Sequence, residues 1–208
     1  MGLVKRSSAP PLPSERRERD RDVGDLVAQL QDPDAEARRW AARDLADHPE
    51  AVPALVARLR AEGAHPVREA ILTALLRVGG ADVARELTAF LRSEEVTLRV
   101  AVIEVLQQLP HEVGALVDDL LRDEDSDVRI FAVDIVRHLP HPRVPDWLRR
   151  VLRQDPHVNV VASALDAVSE VAPFDLHDEV ERVKDRFPGN SYLGFLADAA
   201  ARRPSRAS

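Results

Sequence analysis

Apolar positions recur at the spacing of one helix face along most of the chain. After each of four dipeptides made of an apolar residue and an arginine, apolar residues stand about three, four and seven or eight positions later. Offsets of three and four place side chains on one face of an α-helix. The pattern therefore predicts a helix that returns about every 30 residues, and a fifth copy begins at Val158, where Asn159 replaces the arginine. The four arginines, spaced 30, 31 and 30 residues apart, are Arg38, Arg68, Arg99 and Arg129.

A second motif precedes each of these helices. It reads "LVAQL" at 26, "LVARL" at 55, "LTAFL" at 87, "LVDDL" at 116 and "LRRVL" at 148. Leucines four positions apart predict another amphipathic helix, packed antiparallel on the first through a short turn. A period of 30 to 31 residues that consists of two helices is typical of a solenoid. We count five clear units and a weaker sixth at 180–203.

The repeated segments resemble a known family. The stretches "DPDAEARRWAARDL", "DEDSDVRIFAVDIV" and "DPHVNVVASALDAV" are similar to the short HEAT repeats of bacterial and phycobilin-lyase-like proteins. The resemblance extends over about residues 23–201. It implies an all-α fold, which we predict to be a right-handed α-α superhelix of about six two-helix repeats. Such repeats serve many tasks, so the resemblance predicts the fold and leaves the function open.

The flanking segments differ from the repeats. Residues 1–22 contain the Pro-rich "APPLP" and many charges, which predicts a flexible N-terminal arm, and residues 202–208 predict a flexible basic tail. Residues 23–201 are then one repeat domain. There is no cysteine, no secretory segment follows Met1, and no run approaches 18 apolar residues, so we expect a cytoplasmic protein without disulfides. Arginine greatly outnumbers lysine, which suggests a GC-rich genome, and the family resemblance implies a bacterial protein.

Charge is distributed unevenly along the chain. The net charge is −7 overall, +2 in residues 1–22 and +3 in residues 201–208, so the repeats carry −12. An acidic solenoid repels phosphate backbones, which makes nucleic acid an unlikely main ligand. The basic ends leave one hypothesis open, a salt-sensitive nucleic-acid contact through the arm and the tail.

The acidic run in "RDEDSDVRIF" has two interpretations. Asp123, Asp125 and Asp127 stand at positions 1, 3 and 5 of an EF-hand loop, and Asp134 stands at position 12. Position 6 is Val128, where the EF-hand turn needs glycine. The favoured interpretation is therefore structural: aspartate in the turn between two helices caps the second one. The recurring arginines are likewise predicted to pair with acidic residues of a neighbouring repeat.

No set of residues predicts catalysis or a cofactor. The seven histidines lie mostly at predicted turns; His111 and His141 share an edge of the solenoid, but no third metal ligand is evident. HEAT-like di-iron hydroxylases repeat a His-Glu pair across several units, and this chain has only His111-Glu112. The chain also lacks a Ser-His-Asp set and a Gly-rich phosphate loop. We expect no metal and no cofactor, and Trp40 and Trp147 are predicted to be core residues.

The second helices supply the candidate site. In a solenoid they line the concave face, where an apolar stripe with an acidic rim would bind a partner. The alternative is that adjacent second helices pack against one another through the same positions. The sequence leaves both open. The predicted site residues are Glu69, Leu72, Leu76, Val100, Ile103, Glu104, Ile130, Val133, Asp134, Arg137 and Val160.

Two classes of function follow from these observations. The first is a non-enzymatic scaffold or adaptor whose concave face binds a helix or extended segment of a partner protein, a basic segment being one option and self-association another. The second, implied by the family resemblance, is a bilin-lyase-like or chaperone subunit that acts on a tetrapyrrole-bearing protein. No residue singles out a bilin pocket.

Overall fold

Helices form nearly all of the described chain. The computed structural model describes residues 22–170 and 177–201, and these two ranges contain no β-strand. The helices are α1 Val23–Gln29, α2 Ala35–Asp44, α3 Val52–Ala61, α4 His65–Val78, α5 Gly80–Thr88, α6 Val96–Gln107, α7 Pro110–Gly114, α8 Val117–Leu120, α9 Ser126–His138, α10 Val144–Gln154, α11 Val158–Glu170, α12 His177–Arg186 and α13 Ser191–Ala201. Short 3₁₀ segments span Leu45–Asp47, Pro49–Ala51 and Ala89–Arg92. The predicted fold class, an all-α solenoid of two-helix repeats, is confirmed.

The helices pair as the sequence period predicts. The first helices of the six repeats are α1, α3, α5, α7 together with α8, α10 and α12, and the second helices are α2, α4, α6, α9, α11 and α13. The chain divides into two compact units, one that ends at Ala74 and one that begins at Leu75. The predicted arm and tail lie outside the described residues, apart from Asp22.

The first unit is built on an apolar core of leucine and alanine. Helix α1 packs on α2. Asp34 precedes α2, and its carboxylate accepts a hydrogen bond from the Glu36 backbone N–H at 3.2 Å, which caps the helix. Pro53 lies in the first turn of α3, where its missing N–H has no helical partner to lose. The core includes Leu26, Leu30, Ala41, Leu45, Leu55, Leu59 and Ile71.

The second unit stacks its second helices side by side. Helix α6 packs on α9, α9 on α11, and α11 on α13, while α10 packs on both α11 and α12. A second helix inside such a stack contacts a neighbour on each side and its own first helix, so it buries more than one face. The fully buried residues include Leu87, Leu106, Ile135, Leu148 and Trp147.

The first helix of the fourth repeat differs from the prediction. The "LVDDL" motif predicts one helix, but the chain forms α7 and, after a break, the four-residue α8. Gly114 ends α7, and glycine weakens a helix interior. A methyl group at Gly114 would lie 2.9 Å from His141 Nε2, so the backbone is close against that imidazole. We attribute the break to this close approach, which demands glycine where a continuous helix favours other residues.

A side-chain acceptor recurs in the inter-helix turns of the first five repeats. In each case its oxygen accepts a hydrogen bond from the backbone N–H two residues later, at 2.8–3.2 Å. The acidic run follows this rule twice, because Asp123 accepts from Asp125 N–H and Asp125 accepts from Asp127 N–H, both at 2.9 Å. The predicted capping role is confirmed. The five acceptors are Asp32, Glu62, Ser93, Asp123 and Asp155.

The recurring arginine joins two successive turns in the first unit. Arg38 Nε and Nη2 donate to the two carboxylate oxygens of Glu62 at 2.8 and 2.9 Å. Its Nη1 donates to the backbone carbonyls of Asp32 and Pro33 in its own turn. Glu62 also accepts from Arg58 Nε at 2.8 Å. One planar guanidinium therefore fixes its own turn and the turn of the next repeat together.

In the second unit, Arg129 repeats this arrangement and Arg99 does not. Arg129 donates to both carboxylate oxygens of Asp155 and to the carbonyls of Asp123 and Glu124. The predicted pairing with a neighbouring repeat is thus confirmed for Arg38 and Arg129. Arg99 instead donates to the Ser93 carbonyl and lies 4.7 Å from the centre of the Phe131 ring.

The fifth repeat lacks the recurring arginine, and another arginine donates hydrogen bonds to the backbone carbonyls of its turn. Asn159 stands at the expected position. Arg186, at the end of α12, donates from Nη1 to the Leu152 carbonyl and from Nη2 to the Asp155 carbonyl. Burial lowers the pKa of Arg186, against the raising effect of Asp155. The turn is therefore held from the sixth repeat.

The Glu62 carboxylate is buried and ionised. Burial alone would raise its pKa, but hydrogen bonds from Arg38, the Ala64 backbone N–H and Arg58 outweigh burial and lower the pKa from 4.5 to about 2. A carboxyl group whose pKa is lower in the folded state stabilises the fold above its unfolded pKa. This stabilisation is lost as the pH falls from about 5 towards 2, and amounts to about 3 kcal/mol at most.

We predict that Glu62→Gln lowers the free energy of unfolding by about 3 kcal/mol at pH 7, because Arg38 remains buried without its anionic partner. The difference from the wild type should shrink as the pH falls below about 5. Urea unfolding followed by circular dichroism between pH 7 and 2.5 measures both effects. Glu36→Gln, in an exposed pair with Arg39, is the control and should change stability by less than about 0.5 kcal/mol. A loss that is the same at every pH would contradict the assignment.

Candidate partner-binding surface

The stacked second helices of the second unit present one continuous candidate surface. Val100 on α6 and Ile130 on α9 stand at equivalent repeat positions, as do Glu104 and Asp134. Because α6 packs directly on α9, equivalent residues of the two helices are neighbours. We call Val96, Val100, Glu104, Ile130 and Asp134 the α6–α9 face.

Four of the predicted site residues are buried. Leu72 is 5% exposed, Ile103 6%, and both Val133 and Val160 are 0% exposed. For these residues the packing alternative holds, since a side chain without accessible surface cannot meet a partner in this conformation. The physical reason is that each second helix inside the stack buries the flanks that face its neighbours.

The other predicted site residues reach the surface. Val100 is 48% exposed, and Glu104 and Glu69 are exposed as well. Leu76, Ile130, Asp134 and Arg137 are half-buried. Glu69 lies in the first unit and faces His65 at 3.7 Å. That these residues bind a partner stays a prediction. It now rests on the seven predicted site residues that reach the surface.

Two carboxylates of the α6–α9 face have no cationic partner among the described residues. The side chain of Gln108 instead contacts the backbone carbonyl of Glu104, and the side chains of Gln107 and His138 contact that of Asp134. Arg137, by contrast, pairs with Asp166 at 2.9 Å and with Glu170 at 3.4 Å on α11. The face therefore carries uncompensated negative charge beside exposed valine side chains.

The sequence reasoning missed three residues of this surface. Val96 is 59% exposed, one turn before Val100 on α6. Asp166 and Glu170 on α11 are the partners of Arg137, a predicted site residue. The signal for Val96 was present, because positions 96 and 100 are four apart and so share a helix face.

Two acidic residues on the first helices, by contrast, pair with arginines of neighbouring repeats. Asp118 on α8 binds Arg150 and Arg143 of the next repeat at 2.5 and 2.7 Å. Burial would raise the pKa of Asp118, but the hydrogen bonds from these two arginines outweigh burial and lower it. Glu179 on α12, which is buried, binds Arg153 and Arg149 of α10. These pairs connect repeats four, five and six.

The tryptophans and histidines have structural surroundings. Trp147 is buried as predicted, and the His141 ring stacks on it with ring centres 4.7 Å apart. Trp40 is only half-buried, which corrects its prediction as a core residue; Arg39 and Arg43 lie over its ring. Across residues 22–170 and 177–201, no three His, Cys, Asp or Glu side chains lie close enough to hold a metal ion.

Within the described ranges, no helix is both long and apolar enough to cross a bilayer.

The family comparison agrees with this geometry. Residues 23–107 match the family described as HEAT repeats. The match takes in repeats one to three, and the resemblance inferred from the sequence is confirmed. Among curated proteins, none matches the chain significantly.

Several solved structures of repeat proteins are similar to the chain. An archaeal HEAT-like repeats protein from Thermococcus onnurineus NA1 is 16% identical, with 90% of this chain and 88% of that chain covered and a TM-score of 0.45. A designed armadillo repeat protein in complex with the peptide (KR)4 is 18% identical, with 86% and 98% covered and a TM-score of 0.39. The complex of CpcE and CpcF of phycocyanin lyase from Nostoc sp. PCC7120 is 19% identical, with 93% and 91% covered and a TM-score of 0.38.

We predict that a substitution at a buried residue of α6 lowers the free energy of unfolding more than one at an exposed residue of the same helix. Ile103→Ser should lower the free energy of unfolding by about 3 kcal/mol, because it leaves a cavity and buries a hydroxyl group. Val100→Ser should change it by less than about 1 kcal/mol, since the side chain is already half-exposed. Thermal and urea unfolding of the two variants measure the contrast. Equal losses would mean that the α6–α9 face is buried in solution.

Proposed function

We propose that the protein is a non-enzymatic scaffold that binds a segment of a partner protein on its α6–α9 face. The observation that carries the proposal is the pair of unpaired carboxylates, Glu104 and Asp134, beside the exposed Val96 and Val100. Elsewhere in the second unit, carboxylates at the repeat contacts bind arginines. Charge left uncompensated on one face favours a cationic ligand.

The chemistry of the face defines the kind of segment. Two apolar side chains one turn apart offer a contact for an apolar residue of the partner. Glu104 and Asp134 offer acceptors to lysine or arginine residues that flank it. A helix or an extended segment with basic residues around an apolar anchor matches this pattern. Partly exposed ion pairs contribute little each, so the apolar contact should supply affinity and the carboxylates selectivity.

The test is a quantitative pull-down from lysate of the native host. It compares the wild type with the double variant Glu104→Gln/Asp134→Asn. The matched control, Asp119→Asn/Glu124→Gln, removes the same charge at exposed positions outside the face. We expect to recover host proteins that bind the wild type and the control equally. The double variant should recover at least tenfold less of the same proteins. A photo-crosslinker at position 100 should then join the face to a basic segment of the retained protein.

Two results would count against this function. Equal recovery of host proteins by all three baits would mean that the α6–α9 face does not bind them. A crosslink to a second copy of the chain would replace the partner protein by self-association, which the sequence also left open. The tetrapyrrole alternative stays a prediction, and pigment that co-purifies from a pigment-containing host would support it.

A further inference from the structure

Two aromatic side chains stand exposed on helix α13. Tyr192 is 57% exposed and Phe195 is 64% exposed. They lie three positions apart and so share one helix face, which the half-buried Leu196 and Ala199 continue along the helix. Outside the α6–α9 face, the described ranges expose no other large apolar side chain to this extent. We call Tyr192, Phe195, Leu196 and Ala199 the α13 face.

Helix α13 leaves more of its surface uncovered than the second helix on which it packs. Helix α11 lies between α9 and α13 in the stack and buries six of its side chains. Helix α13 packs on α11 and α12 and buries two, Leu193 and Ala197. These two residues are four positions apart and occupy a different part of the helix circumference from Tyr192 and Phe195. The α13 face is therefore an apolar flank of the stack that the described helices leave open.

The α13 face carries no charge, unlike most of the repeat surface. Helix α13 contains one charged residue, Asp198, and its carboxylate pairs with Lys184 on α12 at 2.6 Å. The repeats as a whole are strongly acidic, so two copies of the chain repel one another over most of their surface. At the α13 face this repulsion is absent. A basic partner, by contrast, gains no ionic contact there and is attracted to the carboxylates of the α6–α9 face.

We propose that the α13 face binds the α13 face of a second copy of this chain. A contact around a twofold axis joins the same surface of both copies, so that surface must be complementary to itself. An uncharged apolar face meets this requirement, and the rings of Tyr192 and Phe195 supply aromatic contacts across the axis. The second copy then covers the open flank of α13 as a further second helix would. The α13 face and the α6–α9 face share no residue, so the proposal does not depend on the proposed function.

The test is the mass of the purified 208-residue chain in solution. Sedimentation velocity is measured over protein concentrations from micromolar to nearly millimolar. We expect the mass of one chain at the lowest concentrations and the mass of two chains at the highest. A single chain at every concentration, or growth beyond two chains, would overturn the proposal.

Two double variants assign the contact to a face. Tyr192→Gln/Phe195→Gln removes both rings and keeps good helix-forming residues, and it should raise the dissociation constant of the dimer at least tenfold. Both positions are exposed, so the fold should be retained, which circular dichroism checks. The matched control, Val96→Gln/Val100→Gln, removes two exposed apolar side chains from the α6–α9 face and should leave the dissociation constant within about twofold of the wild type. An unchanged dissociation constant in the α13 variant, or a tenfold rise in the control, would refute the α13 face as the contact.

Salt distinguishes this contact from an ionic one. Added NaCl screens the repulsion between two acidic copies and leaves an apolar contact in place. The dimer should therefore bind at least as tightly at high salt as at low salt. A dimer that dissociates when salt is added would depend on ionic contacts and would contradict the assignment to an uncharged face.

Discussion

The fork of hydrogen bonds made by Arg38 and Arg129 is the interaction that fixes successive turns to one another within each unit. In each unit one such guanidinium binds two backbone carbonyls of its own turn and the carboxylate of the next turn. Because the fork is planar, it fixes the distance and the orientation between successive turns. Apolar side chains then supply most of the burial, but they do not by themselves specify the register between repeats.

Ion pairs between arginines and carboxylates also explain which carboxylates lack a cationic partner. Several carboxylates at the turns and on the first helices pair with arginines of an adjacent repeat, as at Asp155, Asp118 and Glu179. Within the described ranges, no arginine pairs with Glu104 or Asp134 in this way, whereas Arg137 pairs with Asp166 and Glu170. Pairing within the scaffold thus concentrates the uncompensated negative charge on the α6–α9 face.

The sequence predicted what is periodic and missed what depends on contacts between distant residues. The helix pairs, the capping aspartates and the Arg38 and Arg129 pairs follow from spacing alone. The burial of Ile103 and Val133 does not, because periodicity cannot say which of two apolar flanks of a helix meets a neighbouring repeat. The break after Gly114 depends on His141, which lies 27 residues away in the sequence.

The most direct test of the arginine fork is a double-mutant cycle on Arg129 and Asp155. Urea unfolding would be measured for Arg129→Met, Asp155→Leu and the double variant. Each single change leaves a buried charge without its partner, so each should lower the free energy of unfolding by about 3 kcal/mol, and the double variant should recover much of that loss. A coupling energy of about 2 kcal/mol or more is the predicted result. Additive losses, with a coupling below about 0.5 kcal/mol, would contradict the central role of the fork.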